Sequence, residues 1–166
     1  MNRSYRKILR NRKSRIQRRL RPKNWTDQPS PMFGASNIHY EVAERAQAIN
    51  CGGIGAIHLM VQRLGLPAEI DQNLELLKVH LPYHESDHVL NIAYNILAGG
   101  VRLEDIEQRR QDESFLNGLE AERIPDPTTA GDFTRRFDQT DVLSLQECFN
   151  RKRVAVWKMQ ASGFFK

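Results

Sequence analysis

Three histidines spaced four apart, His80, His84 and His88, with Glu85 and Asp87 among them, are the residues of this chain best suited by type to hold a metal ion. Imidazole and carboxylate are the usual ligands of zinc and related divalent ions. A spacing of four places side chains on one face of an α-helix. Pro82 interrupts this run, however, and Ser86 reads as the N-cap of a helix that begins after it. The three rings then share no face. The segment reads as a loop with capping residues, and no metal ligand and no cofactor is assigned. Gly52-Gly53 before the next apolar run raises the question of a phosphate cradle, but it matches neither the dinucleotide pattern nor the P-loop, which needs a lysine after its last glycine. It reads as a loop.

The other chemistry on offer is positive charge. Residues 1–30 hold 11 Lys or Arg against one acid, Asp27, a balance of +10. Residues 31–166 hold 14 bases against 19 acids, a balance of −5. The chain is a basic tail on a mildly acidic body. Such a tail can neutralise several phosphates, with Arg6, Arg10, Arg18 and Arg19 among the contacts. Its few aliphatic residues, Ile8, Leu9, Ile16 and Leu20, are too few to fold it alone, although a partner could induce a helix. A solvated disordered extension and an organellar transit peptide, also Arg-rich and acid-poor, are the other readings of the same composition. In the body, Arg135-Arg136 and Arg151-Lys152-Arg153 form two further basic clusters.

These clusters need elements to position them. No stretch approaches the run of roughly 18 apolar residues that spans a membrane, and the two cysteines, Cys51 and Cys148, have no metal or disulfide spacing, which suits a reducing cytoplasm. Residues 1–37 read as the basic tail and a Pro-rich linker, and "NIHYEVAE", at the end of the linker, reads as a short strand. From Cys51 the rhythm is helical. Ile54, Ile57, Met60, Val61 and Leu64 share a face, and Gly65 and Pro67 end that helix. "LPAEIDQNLELLKVHLP" reads as a second helix with Ile70, Leu74 and Leu77 inward. "SDHVLNIAYNILAGG" is the most apolar helix and the expected centre of the core through Leu90, Ile92, Ala93, Ile96 and Leu97, with Phe133 and Phe137 near it. "LEDIEQRRQD", with Leu103 and Ile106 buried, and "ESFLNGL" add short turns of helix.

The stretch "IPDPTTAGDFTRRF" has Pro125 and Pro127 stiffening the approach, Thr129 as N-cap with Asp132 as its capping-box partner, and Phe133 and Phe137 as an anchor that presents Arg135 and Arg136. A longer helix follows, with Val142, Leu145, Phe149 and Val156 on one side. The expected fold is mostly α, a compact helical array with five to seven helices after residue 50, little or no sheet, and a disordered basic N-terminal tail.

The run from "PYHESDHVLNIAYNILAGGVRLEDIEQRRQ" through "FLNGLEAERIPDPTTAGDFTRRF" resembles the N-terminal region of bacterial DDE-type insertion-sequence transposases, in the group named IS thirteen-eighty. The words "LAGG", "LEDIE", "IPDPTTAGDF" and "RRF" occur in the family's order and spacing, and the resemblance covers about Ile38 to Phe137. "VWKMQASGFF" is more weakly similar to the family's run-in to its catalytic domain. The resemblance implies a DNA transposase, which cuts and joins DNA with Asp, Asp and Glu on a ribonuclease-H-like sheet and two magnesium ions. It assigns residues 38–140 to the helical transposase domain and 141–166 to a helix leading toward a catalytic domain that is absent here. Asp105, Asp132 and Asp141 map to no catalytic position, so the expectation is a truncated chain without cleavage activity of its own. Its expected partners are DNA, at terminal inverted repeats, and a second copy of the chain. The alternative is a helical dimerisation or structural module without DNA readout, and the tail alone would also suit an RNA-binding protein.

Overall fold

The structure, a computed structural model, describes residues 3–20, 30–34, 51–161 and 163–164, with side chains from residue 10 to 18 of the first segment. The strand expected at "NIHYEVAE" lies outside the described residues. Among those described, eight α-helices and one 3-10 turn occur and no strand: α1 (Arg3–Leu20), α2 (Ile54–Arg63), α3 (Leu66–Asn73), α4 (Glu85–Leu97), the turn Leu103–Asp105, α5 (Ile106–Gln111), α6 (Glu113–Gly118), α7 (Pro127–Thr134) and α8 (Gln139–Lys158). The helical class and the count after residue 50 agree with the sequence reading.

The basic segment, read above as disordered without a partner, is helical over Arg3–Leu20. It contains no Gly or Pro, and nine of its 18 residues are Arg or Lys, which are good helix formers. Every side chain from Arg10 to Arg18 is exposed, so the helix adds little to the core.

The body is built around α4, which packs against α3, α5 and α7, while α2 packs against α3 and α6, and α8 lies on α3. Gly65, at φ 64°, makes the corner between α2 and α3, a conformation that suits glycine. Gly55 and Gly118 let α2 and α6 approach closely: a Cβ on Gly55 would lie 3.0 Å from the carbonyl oxygen of Gly118. α3 stops at Asn73, shorter than its apolar pattern suggests, because Leu74 is extended; Ile70 and Leu74 are buried as expected, and Leu77 is half-buried in the loop beyond. In α2 the buried side chains are Ile54, His58 and Val61, and Met60 is exposed.

The centre of the core differs most from the reading of α4. Leu90 is buried, but Ile96 and Leu97 are 63% and 59% exposed, and Ile92 and Ala93 are half-buried. The inward face carries Asp87, Leu90, Asn91, Tyr94 and Asn95. Its polar groups are buried because they satisfy main-chain groups of the loops that cover them. Asn91 Nδ2 donates to the Pro125 carbonyl (3.1 Å), and Asn95 Nδ2 donates to the Arg102 carbonyl (2.9 Å). Asp87 accepts from the amides of Met32 (2.9 Å) and Phe33 (3.3 Å). Residues 32–34, within the Pro-rich stretch read as a linker, therefore dock on the body: Phe33 is buried and stacks with Tyr94, and the Gly34 amide donates to the Leu119 carbonyl (3.0 Å). Beneath Phe33, the Nδ1 of His58 lies 2.7 Å from the Tyr94 hydroxyl, and its Nε2 lies 3.1 Å from Gln62 Nε2.

Candidate nucleic-acid interface

The Arg135-Arg136 pair is positioned by α7. The N-cap of that helix is Asp126, not Thr129: its carboxylate accepts from the Thr129 amide (2.9 Å) and hydroxyl (2.8 Å). Such a cap contributes about 1 kcal/mol. Pro127 is the first helical residue, where its missing N–H costs nothing. The two prolines are thus no external strut. Pro125 is buried with its carbonyl engaged by Asn91, and Pro127 is part of the helix. Asp132 does not reach back to cap; it pairs with Arg135. The aromatic anchor is as expected and longer. Phe133 meets Phe137 edge-on at 5.3 Å and stacks on His88 at 4.4 Å, and His88 meets Tyr83 at 5.6 Å. Burial of His88 among these rings pushes its pKa down to about 4, so the ring is neutral at pH 7. That stack fixes α7 against α4, and with it the two arginines at the exposed end of α7. Arg135 is the C-cap residue, and Arg136 donates to the Leu76 carbonyl (3.1 Å).

α8 is capped by Asp138 and Asp141, each accepting from the other's amide (3.0 and 2.9 Å). The apolar side expected at Val142, Leu145, Phe149 and Val156 is only partly covered: Val142 and Phe149 are exposed, Leu145 and Val156 are half-buried, and the buried residue of the helix is Cys148. Polar groups also hold α8 to α3. Glu69 receives Arg151 Nε on one oxygen (2.6 Å) and Lys152 Nζ on the other (3.0 Å). The two cations hold the Glu69 carboxyl below the usual range, Lys152 contributing most. Arg153 pairs with Asn150 and lies over the Trp157 ring at 5.3 Å.

The predicted site residues therefore fall into three groups. Arg10 and Arg18 are exposed on α1; Arg6 and Arg19 fall in the same helix, with side chains outside the described residues. Arg135, Arg136 and Arg153 are exposed on the body. Arg151 and Lys152 are committed to Glu69, a partner about eighty residues away that no local pattern signals. The sequence reading missed this clamp, and it missed the meeting of His80, His84 and Glu85.

The three acids considered for phosphoryl transfer lie on separate elements with local roles. Asp105 accepts from the amides of Val101 (2.8 Å) and Arg102 (3.0 Å), which hold its carboxyl below the usual range. Asp132 pairs with Arg135, and Asp141 closes the α8 capping box. They do not form the converging set that a two-magnesium centre needs. No helix of the described residues is long and apolar enough to cross a membrane. Comparisons of the chain with protein-family models, with curated proteins and with solved structures find no match.

Proposed function

We propose that this chain is the DNA-binding and assembly portion of a DDE-type insertion-sequence transposase, acting in the cytoplasm on terminal inverted repeats. The observation that carries the reading is the run of transposase-like words, which in the fold builds α4, the Leu103–Asp105 turn, α5 and α7. Two features of charge support it. α1 presents nine Lys or Arg and no acid in 18 residues. A helix of that length spans about 27 Å and fits the major groove. α7 presents Arg135 and Arg136 from a capped, aromatic-anchored end. In this reading α1 grips phosphate and the α7 arginines supply base contacts. Strand cleavage and magnesium chemistry belong to the family's catalytic domain, and no residue of this chain is given a part in them.

A non-catalytic dimerisation module is the second reading. It draws on the exposed apolar surface where Val89, Ile92, Phe137, Val142, Leu145 and Phe149 line one cavity of about 410 Å³. Fluorescence anisotropy on an inverted-repeat end, a random duplex and a structured RNA separates the readings. The transposase reading expects tighter binding to the inverted-repeat end. Equal affinity for all three overturns sequence recognition, preference for the RNA favours an RNA-binding role, and binding to none leaves the dimerisation module.

A further inference from the structure

We propose that His80, His84 and Glu85 bind a divalent transition-metal ion of the zinc class, which staples the loop after α3 to the start of α4. The proposal is independent of the DNA-binding reading. The chain bends at Leu81 and Pro82 before α4 begins, so the ligands meet across this bend and not on one helical face. One ligand atom from each residue lies within 4.8 Å of the other two. The His80 and His84 rings stack at 3.8 Å between centroids and 6° between planes, so they are adjacent but their in-plane lone pairs run parallel, and one ring must turn out of the stack for both nitrogens to meet on the ion. His80 Nε2 stands 3.1 Å from Glu85 Oε2. Two ligands on a tetrahedral ion with bonds near 2.0–2.1 Å lie about 3.3 Å apart, so this edge of the polyhedron is close to preformed.

The supporting shell is also in place. The Glu85 side chain is only 3% exposed, and its other oxygen, Oε1, accepts from the amides of Leu76 (3.1 Å) and Leu77 (2.9 Å). These bonds orient Oε2 toward His80. His84 is held through its own amide, which donates to Asp87 Oδ2 at 3.0 Å, and Asp87 is in turn fixed by the Met32 and Phe33 amides. Outer contacts of this kind set the orientation and affinity of metal ligands. On binding, the His80 ring takes the tautomer with its proton on Nδ1, exchanged through solvent, so that Nε2 and Glu85 Oε2 each turn a lone pair to the ion in place of their hydrogen bond. Two neutral imidazoles and one carboxylate leave a fourth position for water. His80 is the most exposed of the three, at 27% of its side chain, and gives the ion its way in. The consequence is local rigidity: the same loop supplies the Leu76 carbonyl to Arg136, so the ion would steady the platform under that arginine.

The test uses the untagged full chain, loaded with zinc, passed through gel filtration and analysed for metal, beside His80→Ala and His80→Gln variants checked for helicity by circular dichroism. The wild type is expected to retain one zinc per chain and to show the visible absorption of a tetrahedral site when loaded with cobalt instead. The variants are expected to bind zinc at least about tenfold more weakly and to lose the rise in melting temperature that zinc gives the wild type. A wild-type chain that retains no zinc overturns the proposal. So does a folded variant that retains as much as the wild type.

Discussion

α1 and α8 are the two longest helices, and both carry strings of basic residues, yet their cations are spent differently. Those of α1 stand in an 18-residue segment with no acid among them, and each one described is exposed. On α8, Glu69 of α3 reaches Arg151 and Lys152, and Arg153 lies against Asn150 and the Trp157 ring. An exposed ion pair such as Arg135–Asp132 opens at little cost, whereas cations that share the less exposed Glu69 carboxylate are held more firmly. The difference is one of acid placement, and it divides the cations into exposed ones on α1 and ones tied into the fold on α8.

That division has measurable consequences. The largest concerns the body. Ile70→Ala removes a side chain with no exposure and is expected to cost about 2–5 kcal/mol in urea unfolding. Ile96→Ala, at a site 63% exposed, is expected to cost less than about 0.5 kcal/mol. Equal effects would mean that the polar face of α4 is not the buried one. Next is pH. Burial pushes His58 and His88 down to about 4 from 6.5. Their neutral forms are favoured in the folded state, whereas the unfolded chain protonates them below its own pKa. Stability should therefore be full above about pH 6.5 and decline toward pH 4, by up to about 3 kcal/mol for each group. Asp71 and Asp87, raised by burial, oppose this at the acid end. The arginines and lysines of α1 stay charged throughout, so DNA binding below pH 6.5 should weaken only as the body unfolds. Unfolding midpoints that do not move between pH 7 and 5 contradict the assignment.

The α8 clamp separates the two roles at a single site. Arg151→Ala with Lys152→Ala should lower the melting temperature modestly and leave affinity for duplex DNA unchanged, as read by calorimetry and anisotropy. A loss of affinity without a loss of stability would return these residues to the interface. Smallest and most specific is Arg135→Ala with Arg136→Ala. If these residues read bases, affinity for an inverted-repeat end should fall by at least about tenfold, as expected for a lost contact of 1–3 kcal/mol, while random duplex changes little. Equal losses on both would make them phosphate contacts, and no loss on either would make this end of α7 structural.

Much of this architecture is legible in the sequence because its signals are local. Gly65 and Pro67 mark a corner, and Phe133 and Phe137 an anchor, and each does what its spacing suggests. Reading fails where a residue's partner is distant. The apolar stripe of α4 points to Ile96 and Leu97, but Asn91, Asn95 and Asp87 are drawn inward by loop amides and carbonyls that no window on α4 contains. Phe33 looks like part of a linker until Asp87 is seen to bind its amide. The same holds for the candidate site. Arg135 and Arg136 are visible as an exposed pair, whereas the engagement of Arg151 and Lys152 depends on Glu69, and the approach of His80 to His84 depends on a turn that pattern alone counts as a break.

The central claim is that the charge of the first 30 residues supplies most of the phosphate grip on DNA and the body adds little to it. Affinity for a random duplex, measured against salt for the full chain and for a chain beginning at Ser30, tests it most directly, since that shorter chain keeps the Phe33 anchor. The full chain is expected to lose roughly 10³–10⁵ in affinity between about 50 and 200 mM salt, as for some 6–10 phosphates engaged, and the shorter chain to bind weakly with a shallow slope. Equal affinities and parallel slopes for the two chains would contradict it.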